Sequence, residues 1–207
     1  MPARLRPLLL LAAWLVAVVS PALAERGYSN DRGGSNAARS GAASIVELAH
    51  VAPGTAFNAG TTKTILSALR QGTAFCQQLA QREYVLDCLA YQYWEVQRRL
   101  PGTGDYADVR AALRGAAGEL ETLAKRNKSS SAPSARLSTA GGRATTTRAI
   151  VPVATGRLSA AGDRGADLVA QAQSQLLRSP SRSRPGGESL VQIAQALDSG
   201  AALLRSL

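Results

Sequence analysis

Cys76 and Cys88 are the only cysteines in this 207-residue chain. Two thiols can form one disulfide, a redox pair or part of a metal site. Redox pairs usually sit two residues apart, and a zinc site needs four ligands where only His50, the single histidine, could help. A structural disulfide is therefore the reading, with intermolecular pairing the alternative, and no metal or cofactor is expected. The spacing conflicts with local propensity. One unbroken helix through both cysteines would hold them about 18 Å apart along its axis, whereas a disulfide needs Cα atoms within about 7 Å. The chain from Gly72 to about Arg82 is thus predicted to turn back, with the main helix starting near Glu83 or Tyr84.

No other residues assemble into a catalytic pattern. His50 precedes Val51-Ala52-Pro53-Gly54 and reads as a loop residue, and no Gly-x-Ser-x-Gly motif supplies a nucleophile for it. Asp105 reads as a helix N-cap, Asp108 as a first-turn acid, and Glu119 and Glu121 as solvated helix surface. The glycine turns Gly162-Asp163-Arg164-Gly165 and Pro101-Gly102-Thr103-Gly104 lack the strand and the Gly-Lys-Ser/Thr of a phosphate loop. The chain is expected not to be an enzyme. A sharper candidate is Tyr91, Trp94 and Arg98, an aromatic and cationic group suited to anchoring a protein partner. The competing reading turns Tyr91 and Trp94 toward other helices of the same fold.

The first 24 residues have the form of a cleaved leader. Arg4 and Arg6 precede an apolar run from Leu8 to Val19, and Ala22-Leu23-Ala24 fits cleavage between Ala24 and Glu25. This predicts a secreted or periplasmic protein without a transmembrane span after cleavage, and the oxidising compartment favours the disulfide. Cleavage lowers the formal net charge from +10 to +8. Nearly all of that excess lies between Glu121 and Asp163, where Lys125, Arg126, Lys128, Arg136, Arg143, Arg148 and Arg157 occur without an acid. Such a stretch would attract anionic polymer or an envelope surface in a salt-sensitive way. It lacks interleaved aromatics, so specific nucleic-acid binding is not expected.

The elements that would position these residues are helical. Leu86, Leu89, Tyr93, Val96 and Leu100 share one helix face, and Val109, Leu113, Leu120 and Leu123 line another after the Pro101–Gly104 turn. Thr61 or Thr62 reads as an N-cap, and Gly72 as the C-terminal stop, of a short preceding helix. Helix resumes around 158–178 and again near 188–205. The expected architecture is all-α, a small bundle of two antiparallel helical hairpins. Its divisions are a leader at 1–24, a disordered stretch at 25–43, short helices plus the main hairpin at 44–124, a flexible basic linker at 125–157, and a C-terminal hairpin at 158–207 packing on the first. The predicted function is contact with a protein partner of unknown identity, with anionic-polymer binding through 125–157 as the alternative.

Overall fold

A computed structural model describes residues 48–142 and 144–207. The leader with its Ala24–Glu25 junction, the 25–43 stretch and Arg143 lie outside the described residues. The described residues form five α-helices: α1 (Ala59–Gln77), α2 (Val85–Gln97), α3 (Ala107–Arg126), α4 (Leu158–Leu177) and α5 (Glu188–Arg205). No strand occurs among the described residues, so the class is all-α. Each helix packs on the next in the chain, and α1 also packs on α5, which closes the five into a ring. None of these helices is long and apolar enough to cross a membrane.

The short helix expected before the main hairpin is α1, and it is longer than expected because it does not stop at Gly72. It runs on to Gln77, and Gly72 serves close packing instead: a Cβ there would lie 2.9 Å from the Cβ of Gln92 on α2. The N-cap is Asn58, whose Oδ1 accepts the Thr61 N–H at 2.8 Å, rather than Thr61 or Thr62. After Gln77 the chain reverses through Gln78–Gln81 and a short 3-10 turn at Arg82–Tyr84. That reversal brings the last turn of α1 onto the first turn of α2. Cys76 and Cys88 meet there in a disulfide with Cα atoms 5.8 Å apart.

Asp105 does not cap α3, whose N-cap position is Tyr106 with no side-chain cap bond. Its carboxylate accepts from Arg184 at 2.8 Å and from the Phe57 N–H at 3.1 Å, tying two loops to the head of α3. Those two donors, the arginine first, hold its pKa below the ordinary carboxylate value.

The 125–157 stretch departs most from expectation. It is not a free tether. Lys125 and Arg126 complete the last turn of α3, and the chain then makes an irregular excursion with isolated antiparallel bridges at Lys128–Val153, Ala135–Ile150 and Ser138–Thr145. Ile150 and Val153 are fully buried, and the Val153 N–H donates to the Glu83 carbonyl at 2.8 Å. The anchor is Asp87, on α2 beside Cys88. Its fully buried carboxylate accepts Arg148 through both terminal nitrogens at 2.7 Å and the Val151 N–H at 2.7 Å. Arg148 also lies over the Tyr91 ring, 5.7 Å from its centroid. Tendency alone could not reveal this, because a bidentate partner 61 residues away in sequence has no local signature.

Two stability predictions follow from these ties. Replacing both Cys76 and Cys88 by alanine should lower the unfolding free energy by about 3 kcal/mol in denaturant titrations. Arg148→Met strands a buried carboxylate and should cost about 3–5 kcal/mol. Asp87→Asn should cost less, because the Arg148 side chain is 31% exposed and can hydrate. Equal losses from the two single variants would refute this account of the pair.

Candidate functional site

The sequence-derived site residues are largely dispersed. Tyr91 is buried, its hydroxyl accepting the Thr147 N–H at 3.1 Å, so it offers no anchor to a partner. Arg98 is exposed but bonds to the buried Glu95, which also accepts Arg99 at 3.0 Å. Trp94 is half-buried, its indole N–H donating to Glu121 at 3.1 Å. The Tyr91–Trp94–Arg98 group is thus divided, with the tyrosine inside and only the indole and the guanidinium reaching the surface.

The basic residues are divided too. Arg148 is committed to Asp87, and Lys125 pairs with Glu121 at 2.7 Å. Burial alone would raise the Glu121 pKa, but Lys125, Arg148 and the Trp94 indole together leave it below its usual value. Arg126, Lys128, Arg136 and Arg157 are exposed. His50 is exposed beside a shallow hollow near Asn58 and Thr61. Among the described residues no group of three or more His, Cys, Asp and Glu side chains is placed to hold a metal.

A different feature stands out, on the outer face of α3. A groove of about 790 Å³ runs along this helix, bordered by Trp94 of α2 and lined by Arg110, Arg114, Gly115, Gly118 and Glu119. Its floor is low because Gly115 and Gly118 carry no side chains. A smaller hollow of about 300 Å³ shares Glu119 and Thr122 and continues toward Arg126, Arg164 and Leu168 on the α4 side. Glycine inside a helix costs about 1 kcal/mol relative to alanine. At other helix glycines that cost has a steric reason: a Cβ at Gly165 would lie 2.7 Å from Leu86 and one at Gly200 would lie 2.3 Å from the Tyr93 hydroxyl. At Gly115 and Gly118 a Cβ would meet nothing within 4 Å.

Charge marks the same face. Arg114 and Glu119 are both exposed, and neither forms an ion pair with any described residue. Sequence reasoning took Glu119 as solvated surface and passed over the glycines. The available signal was the outward line Ala111, Gly115, Gly118 and Thr122 on an otherwise well-patterned helix. Comparison with protein-family models, with curated proteins and with solved structures returns no match.

Because none of the described residues fills the space, Gly115→Ala and Gly118→Ala should each stabilise the chain by about 1 kcal/mol in dilute solution. Thermal and denaturant unfolding check this, and a loss of stability would mean that the glycines serve the chain's own packing.

Proposed function

We propose that this chain is an exported, non-catalytic helical module that works by holding another protein chain against the outer face of α3. The observation that carries the reading is the pair of unobstructed glycines in the Trp94-bordered groove. They lower the helix surface, at a cost to helix stability, where none of the described residues comes within 4 Å of the space a Cβ would take. Backbone recessed in this way admits close approach by another chain, and an amphipathic indole at the border is the kind of side chain interfaces favour. The leader-like first 24 residues and the disulfide support export. In this reading α2–α3 and α4–α5 are the two hairpins of the bundle, and α1 joins their free sides.

Anionic-polymer binding through 125–157 has less behind it. Arg148 and Lys125 already neutralise acids, and the other exposed cations among the described residues of this stretch, Arg126, Lys128, Arg136 and Arg157, are spread from the end of α3 along an excursion held to the fold.

Placing a photo-crosslinking residue at Ala111, in the groove, tests the proposal in the producing cell. A control carries the same residue at Gln195, on α5. The expected result is a reproducible, identified adduct from position 111 and not from 195. Equal capture from both positions, or none from either, would defeat the α3 contact.

A further inference from the structure

The outer face of α3 repeats on a seven-residue period. Ala111, Gly115, Gly118 and Thr122 run along its middle at spacings of four, three and four. Arg114 and Glu121 stand on one edge of that line, and Glu119 and Arg126 on the other, the members of each pair seven residues apart. A seven-residue repeat keeps one seam facing a partner helix. Between parallel helices, an edge residue meets the opposite-edge residue five positions further along the partner. On α3 both such combinations, Arg114 with Glu119 and Glu121 with Arg126, join opposite charges. Residues five apart on a single helix do not face each other, so neither combination is made within one helix, although Glu121 also holds Lys125 and the Trp94 indole. Arg114, Glu119 and Arg126 are exposed and make no ion pair with any described residue.

Building on the α3 contact proposed above, we infer that the occupant of the groove is a second copy of this chain. The two α3 helices lie parallel about a two-fold axis, with Gly115 and Gly118 each meeting its own counterpart. Arg114 reaches Glu119 of the partner subunit, and Glu121 reaches Arg126 of the partner subunit, each twice by symmetry. Glycine at the crossing lets the axes approach more closely than larger side chains allow. An antiparallel arrangement with the same glycines in contact would still set Arg114 opposite Glu121 but would leave the Glu119 edge facing itself, so only the parallel arrangement pairs all four charges. The seam is short, about three turns, because Asp108 and Lys125 occupy its next positions at either end. The dimer is accordingly weak, with a dissociation constant of micromolar order.

Sedimentation equilibrium on the full mature chain, disulfide intact, tests this. The wild type should dimerise reversibly, and Arg114→Glu or Glu119→Arg alone should weaken association about tenfold or more, since each places like charges opposite one another. An equimolar mixture of these two variants should recover wild-type association, because one chain then presents two acids and the other two bases. That recovery would also show that both variants fold. Thr122→Cys should form an intermolecular disulfide with itself, which a parallel seam permits and the antiparallel one does not. A wild type that stays monomeric, charge reversals without effect, or a mixture that stays weak would overturn the inference. If the chain is monomeric while a cross-link from position 111 identifies a different protein, the second-copy assignment falls and the contact reading stands. A self-adduct from position 111 supports both, and the absence of any adduct removes both.

Discussion

A carboxylate that stays charged when withdrawn completely from water needs a cation or several hydrogen-bond donors, and Asp87 imposes that condition on the first turn of α2. The nearest solution in sequence is not used. Instead the chain carries Arg148 back from a distant excursion, and the same carboxylate also gathers the Val151 N–H. That placement sets Ile150 in a small apolar cluster with Phe75, Tyr84, Val85, Tyr91 and Leu203 around the Cys76–Cys88 bridge. One buried charge thus fixes the path of the excursion, seals the disulfide and holds the end of α1 on the start of α2. The buried pair is costly to desolvate, and its return is a unique register for a segment with few apolar residues of its own.

The ring of helices depends on small residues for a related reason. Much of the core is alanine, which contributes little burial, so the helices gain contact chiefly by coming close. Gly162 lies so near the end of α5 that a Cβ would be 2.4 Å from the Leu204 carbonyl oxygen. Gly165 admits Leu86 and Leu120, and Gly200 admits the ring of Tyr93, whose hydroxyl is buried and whose pKa burial raises. Large side chains such as Leu86, Tyr93 and Leu120 therefore fill space that a neighbouring glycine leaves open. The core is lean in composition and dense in arrangement.

Much of this was legible in the sequence where the information is local. The 3–4 spacing of Leu86, Leu89, Tyr93 and Val96 marked α2, and the boundaries of α4 and α5 fell where the glycine and proline turns placed them. The disulfide was legible as a conflict between compartment and propensity, and its resolution required the reversal found at Gln78–Gln81. What failed was non-local. Gly72 resembled a helix stop because its packing partner, Gln92, is on another helix. Asp105 resembled a cap because Arg184 and Phe57 lie far off in sequence. The 125–157 stretch resembled a tether because its composition is that of a linker, while its order comes from a single carboxylate on α2.

The same distinction bears on α3. Every glycine discussed in the core has an answer inside the protomer, in a named atom that a Cβ would strike. Gly115 and Gly118 have none among the described residues, although they carry the same cost to the helix and stand on a face otherwise built for stability, with alanine at 107 and 111 and a Lys125–Glu121 pair one turn apart. Solubility does not account for them, since polar side chains would serve it better at no loss of helix propensity. The charges beside them combine at a five-residue spacing that makes no pair along one helix and is complementary between two parallel ones. A local rule broken twice on one face, together with charges on both of its edges that no described residue answers, is the ground on which we propose a contact with a second chain.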